Sequence, residues 1–213
     1  MASLPIPVQA YNWLYLFKNF FFFGFVGGII AIGLMIYLAH QHRHLEGKSR
    51  APPIDRIMEA VIAAAISTVL LISLNAVSSK MTYDIQYPPP VSESLVINVT
   101  AFQWAFKFTY PNGVATTGEF NVPSGVPVIF RVTSTDVYHD FGLPDFRVKI
   151  DAIPGVTNTL WILPPALDGQ EELQYEFRCY ELCGVGHTYM GGIMHVMNQN
   201  AFYQWLNSQG GGS

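Results

Sequence analysis

Two uncharged apolar runs of 20 residues, Phe20–Ala39 and Ala60–Ser79, constrain this chain more than anything else in it. At about 1.5 Å per residue, each is a helix of roughly 30 Å, the thickness of a bilayer's hydrocarbon core. A buried core helix could explain one such run, but hardly two of matching length. A cleaved leader fits the first run badly, because the run is too long and no basic stretch precedes it. The expectation is a two-helix transmembrane hairpin within residues 1–80, with spans at about 18–40 and 57–80. Between the runs lie Arg43, Lys48, Arg50 and Arg56, against Lys18 before the first and Lys80 after the second. That bias predicts a cytoplasmic loop with both termini outside. Pro52-Pro53 and a candidate N-cap, Asp55, mark the start of the second helix. His40, His42 and His44 read as interfacial loop residues rather than as a metal site.

The character changes from Met81. Tyr87-Pro88-Pro89-Pro90 is a stiff linker into a second domain, 81–213. There, short β-branched and aromatic runs alternate with Gly, Pro and Asn: Leu95–Thr100, Val126–Thr133, Thr157–Leu163 and Gln174–Cys179. This predicts an all-β sandwich or barrel, with a short helix at Ala201–Asn207 and a flexible tail at Gly210–Ser213. The domain carries 12 acidic residues against 5 basic ones, a net of −7. Such a surface disfavours nucleic acid and favours a cationic partner with a salt-sensitive association rate. The sequon Asn98-Val99-Thr100 falls inside a predicted strand and reads as silent.

The two cysteines of the chain both sit in Cys179-x-Glu181-x-Cys183-Gly-x-x-His187-x-x-Met190. Two thiolates, an imidazole and a thioether are soft and borderline donors that suit copper. Cys183, His187 and Met190 supply one Cys, one His and the Met of a single-copper blue site. Cys179 is a thiolate such a site does not need, and a pair of copper ions needs a second bridge of this kind. A disulfide closing the Tyr180–Leu182 loop and a zinc site remain as alternatives. Another nitrogen donor is expected from upstream. His139, after the predicted strand Val128–Ser134, is the candidate, whereas His195, in an alternating strand pattern, reads as structural.

At this point the chain resembles subunit II of the haem–copper respiratory oxidases, the copper-A subunit of cytochrome c oxidase. The resemblance is carried by Phe102-Gln103-Trp104, Asp136-Val137-Tyr138-His139, Lys149-Ile150-Asp151-Ala152-Ile153-Pro154-Gly155 and the Cys179–Met190 loop. It implies a cupredoxin-like Greek-key sandwich behind the membrane hairpin. It implies a dinuclear copper centre bridged by Cys179 and Cys183, with His139 and His187 as terminal ligands and Met190 as a weak one. The backbone carbonyl of Glu181 would complete the set, and its side chain would reach a magnesium ion at the interface with subunit I. Trp104 would receive electrons, and Glu59 would stand at the mouth of a proton pathway. The implied partners are a haem-bearing subunit I, a donor that is cytochrome c or a small blue-copper protein, and the lipid bilayer. Ala105-Phe106 after Gln-Trp, Val156 after Pro-Gly, and the segment Asp140–Arg147 depart from the usual pattern. These departures point to a divergent member in a prokaryotic cell membrane, its head on the outer side. A membrane-anchored single-copper carrier or copper-delivery protein is the alternative, and a copper-free quinol oxidase subunit is disfavoured by the intact ligands.

Overall fold

The structure is a computed structural model that describes residues 4–42 and 55–210; the side chains at 42, 55–57, 59, 60 and 210 lie outside that description. The chain divides into two compact units, Leu14–Tyr83 and Asp84–Ser213, the latter also taking in the residues up to Trp13.

The first unit consists of most of α1 (Val8–His42) and α2 (Asp55–Gln86). Both are long and apolar enough to cross a bilayer, over Val8–Gln41 and Val61–Gln86. Their apolar side chains are exposed on every side, Phe21, Ile30 and Met35 on α1 and Leu71 and Ile72 on α2 among them. A helix that is apolar all round, with no protein covering it, requires lipid or another apolar chain as its solvent. α1 begins ten residues before the expected span, and its first turns belong to the other unit. There Gln9 and Ala10 are buried, the Tyr175 hydroxyl donates to Pro5 O at 3.1 Å, and the Arg147 guanidinium stacks over the Trp13 ring at 4.5 Å. Hydropathy alone does not separate those turns from the span, because both read as apolar and aromatic. The basic loop and the side chain of Glu59 lie outside the described residues.

The second unit is a sandwich of two five-stranded sheets. One holds β3 (Ala115–Thr117), β2 (Ala105–Thr109), β1 (Leu95–Phe102), β5 (Val128–Ser134) and β8 (Asn158–Ile162), in that order. The other runs β4 (Glu119–Pro123), β10 (Gly191–Met197), β9 (Glu172–Cys179), β6 (His139–Leu143) and β7 (Val148–Ala152). β1–β5 and β4–β10 pair in parallel and the other neighbours antiparallel. Alternation along β9, buried at every second residue, supplies one wall of the core. Phe106, Phe108, Phe120, Phe130, Phe141 and Phe177 fill it, mostly edge to face or tilted, as in Phe106–Phe141 at 5.3 Å, with Phe108 stacked on Phe120 at 4.0 Å. The helix α3 (Gln199–Gly210), longer at both ends than expected, closes the end through buried Phe202 and Leu206.

β6 departs from alternation, with all five residues buried. His139, Phe141 and Leu143 share one face, and Phe141 points that face into the aromatic core. The opposite face, Asp140 and Gly142, is covered by Tyr180: a Cβ on Gly142 would lie 2.5 Å from its ring. A histidine on the core side of a doubly covered strand is therefore fixed in place before any ligand binds.

Candidate metal centre

Cys179 ends β9 and Met190 precedes β10, two strands paired antiparallel from Gly191↔Arg178 onward. The Cys179 amide donates to Met190 O at 2.8 Å and closes the base of the loop between them. Inside it, Gly184 adopts φ +114°, in the left-handed region that favours glycine. A short 3₁₀ turn then carries His187. β6 lies on the other side of β9, with Phe141 opposite Cys179, so His139 arrives beside the same sulfur.

The result is a cluster of donors around two buried sulfurs. His139 Nδ1 lies 3.9 Å from Cys179 Sγ, and the two Sγ atoms are 3.8 Å apart. Cys183 Sγ lies 3.6 Å from His187 Nδ1 and 3.6 Å from Met190 Sδ. Glu181 O lies 3.3 Å from Cys179 Sγ. Metal–sulfur and metal–nitrogen bonds of about 2.3 and 2.1 Å separate two donors on one tetrahedral ion by roughly 3.6–3.8 Å. The thiols are free, and their separation far exceeds the about 2.05 Å of a disulfide. His139, Cys179 and Cys183 together form a group whose donor atoms all lie within 4.8 Å of one another. The donor set thus fits a soft transition metal, and each sulfur has its own flanking nitrogen and third donor.

The surroundings orient these donors. His139 Nε2 donates to Asp136 Oδ1 at 2.8 Å, which leaves the Nδ1 lone pair toward Cys179. Asp136 also accepts the backbone N–H of Gln103 and of Val137, each at 2.6 Å. Burial opposes its charge, but these hydrogen bonds and the His139 ring hold its pKa down at about 2. Cys183 moves the other way: burial and the neighbouring Cys179 push its thiol up to about 11. A bound metal must therefore displace that proton.

Gln103 and Trp104 fasten the loop from outside. Gln103 Nε2 and Trp104 Nε1 both donate to Cys183 O, at 2.9 and 3.1 Å. The Trp104 ring lies against Gly184 and Gly186, where added Cβ atoms would come within 3.3 and 2.5 Å of it. The indole is 40% exposed, so one edge meets solvent while its nitrogen meets the loop. Phe106, in the departure from the family pattern, is a core residue at 1% exposure. His195 stands apart on β10, its Nδ1 2.6 Å from Glu172 and its Nε2 3.6 Å from Glu119.

Sequence reasoning singled out neither Asp136 nor Gly186. A carboxylate three residues before a ligand histidine was a usable signal for the first. Nothing local marks the second, whose role depends on a residue some eighty positions away.

Comparison with known proteins adds ancestry to this geometry. The family described as cytochrome c oxidase subunit II, periplasmic domain, matches residues 114–197. The heme-copper oxidase subunit 2 of Aeropyrum pernix is 35% identical over 95% of this chain and 92% of its own length. The cytochrome c oxidase subunit 2 of Alkalihalophilus pseudofirmus is 33% identical over 55% of this chain but only 34% of its own length. Among solved structures, the periplasmic domain of subunit II of cytochrome oxidase from Bradyrhizobium japonicum superimposes with a TM-score of 0.52. It is 28% identical and covers 58% of this chain and 96% of that one. With two long apolar helices ahead of a cupredoxin-like head, the chain belongs to the subunit II family of the haem–copper oxidases.

Proposed function

We propose that this chain is the electron-input subunit of a terminal respiratory oxidase, holding two copper ions between its β6 and β9–β10 strands. The observation that carries the reading is the doubled donor set. Cys179 has His139 and the Glu181 carbonyl beside it, while Cys183 has His187 and Met190. Cys179 and Cys183 would bridge, His139 and His187 would cap the two ends, and Met190 and Glu181 O would be weaker third donors. Held by these residues, a copper pair would supply a one-electron redox site.

This chain's residues do the rest. Burial of both thiols and of Met190 keeps water from the donors, and Asp136 fixes the His139 tautomer. Trp104 offers an exposed π-surface hydrogen-bonded to the backbone of a ligand, the natural point at which a donor's electron arrives. The electron would then pass to haem in subunit I, where dioxygen would be reduced to water. The side chain of Glu181 would hold magnesium at that subunit's interface, and Glu59 would serve proton uptake. Residues 1–80 would form the membrane hairpin in a prokaryotic cell membrane, with 81–213 as the outer head.

The test is metal loading of the full chain in detergent. The reading expects two coppers per chain and an EPR spectrum of one unpaired electron coupled equally to both nuclei. One copper with a four-line spectrum would instead identify a membrane-anchored single-copper carrier or copper-delivery protein.

A further inference from the structure

Of the chain's six histidines, two flank the paired sulfurs and three cluster at His40, His42 and His44; His195 stands alone. It lies on β10, between β9 and β4. Its neighbours Met194 and Val196 are buried in the core, so His195 takes the outer face of the sheet. There its two ring nitrogens meet different carboxylates. Nδ1 donates to Glu172 Oε1 at 2.6 Å, and the same oxygen accepts the Gln174 side-chain N–H at 2.9 Å. The bond from His195 holds the Glu172 carboxyl below its ordinary pKa range, and the ring is fixed with Nε2 toward Glu119 Oε2, 3.6 Å away.

An imidazole lone pair and a carboxylate oxygen repel each other unless a cation lies between them. A proton would draw them into a hydrogen bond of about 2.7–3.2 Å, as happens on the Nδ1 side of the same ring. Glu119 is 71% exposed, mobile enough for that approach, yet it stands off. Bonds of about 2.1 Å to nitrogen and to oxygen place two donors on one tetrahedral ion roughly 3.4 Å apart. The gap at Nε2 therefore suits a metal ion better than a proton. Asn121 pairs with His195 in the β4–β10 register and shares the outer face of β4 with Glu119, so its amide offers another oxygen there. One imidazole among oxygens suits a borderline ion such as zinc, whereas magnesium and calcium favour all-oxygen shells.

We propose that His195 Nε2, Glu119 and Asn121 form a second metal site, separate from the sulfur cluster, for one zinc-like divalent ion with water completing its shell. Glu172 is the carboxylate behind the ligand histidine, fixing the tautomer and raising the basicity of Nε2. The ion ties β4 to β10, the strand that begins directly after Met190. The site faces water, so its occupancy follows free zinc in the medium. It stands independently of the electron-input role.

The test uses the full chain in detergent, loaded with copper, with His40, His42 and His44 replaced by glutamine. His195 is then the one histidine outside the sulfur cluster. Zinc uptake is measured by equilibrium dialysis in excess magnesium, and thermal melts are run with and without zinc. Counts are compared between variants, so any zinc held by the sulfur cluster cancels. One zinc per chain should depend on His195, raise the melting temperature, and be lost in His195→Ala. Glu119→Gln should weaken binding at least about tenfold, and Glu172→Gln, which touches no metal, about tenfold. A simple ion pair would give no zinc uptake, and that result overturns the proposal. Uptake unchanged by both His195→Ala and Glu119→Gln also overturns it, because the ion then sits elsewhere.

Discussion

Replacing Gly186 by alanine tests how tightly Trp104 is held against the metal loop. Gly186 has φ −89° and ψ 1°, a conformation alanine accepts, so backbone strain is not at issue. The new methyl group would lie 2.5 Å from both Cγ and Cδ2 of Trp104 and 3.0 Å from its Cβ. Carbon atoms pack at about 3.5–4.0 Å, so the indole must retreat by roughly 1 Å. Overpacking of this kind costs about 1–3 kcal/mol. The 3.1 Å bond from Trp104 Nε1 to Cys183 O is strained or lost as well, adding about 1 kcal/mol. The expected destabilisation is about 2–4 kcal/mol. In a Trp104→Gly background the whole obstacle is gone, the Cβ at 3.0 Å included, and alanine at 186 should stabilise by about 0.4–1 kcal/mol through the unfolded chain. The sign therefore reverses between backgrounds. Denaturant unfolding of the four chains in detergent, followed by tyrosine and tryptophan circular dichroism, completes the cycle. Equal destabilisation by Gly186→Ala with and without Trp104 would refute the packing argument.

The remaining expectations address the ligands and the charges near them. Cys179→Ser should lose the shared-electron spectrum yet keep one copper on Cys183, His187 and Met190; a surviving two-copper spectrum would show that Cys179 is no bridge. Lys149→Met should destabilise the head by about 1–2 kcal/mol, because it leaves buried Asp140 without its 2.7 Å partner while the ammonium itself is largely solvated, and adding Asp140→Asn should recover most of the loss in thermal melts. Burial and Cys179 raise the Cys183 pKa from 9.0 to about 11. The unfolded thiol therefore ionises first, and the metal-free chain should lose stability as pH rises from about 9 to 11. Denaturation midpoints against pH should show this alkaline loss reduced in Cys183→Ser, and an unchanged profile would contradict it.

Periodicity made the two long helices and β1, β5, β8 and β9 readable, since each buries a face or span in a regular pattern. β9 begins at Glu172, two residues before the expected strand, because pairing with Met197 extends it. β6 was harder to see: His139-Asp140-Phe141-Gly142-Leu143 mixes polar, aromatic and small residues, and both faces are covered only after Tyr180 folds back over Gly142. The donor list was legible because the loop keeps Cys, Cys, His and Met within one turn-rich segment. The Asp136–His139 bond and the Trp104 clasp were not, because they join segments through tertiary contact. The same limit applies to charge. Composition gives the head a net negative total, but not which carboxylates are already tied to histidine, arginine or backbone N–H groups.

The hydrogen bond from Cys179 N to Met190 O seals the loop at its root, and strand pairing resumes immediately beyond it. Residues 180–189 are therefore a cassette inserted into an otherwise uninterrupted hairpin. Tyr180 alone of these residues braces β6, through its ring over Gly142 and its N–H to Asp140 O, so exchanges beyond it leave the register of β9 and β10 intact. A designer could therefore exchange the cassette beyond Tyr180 without rebuilding the sandwich.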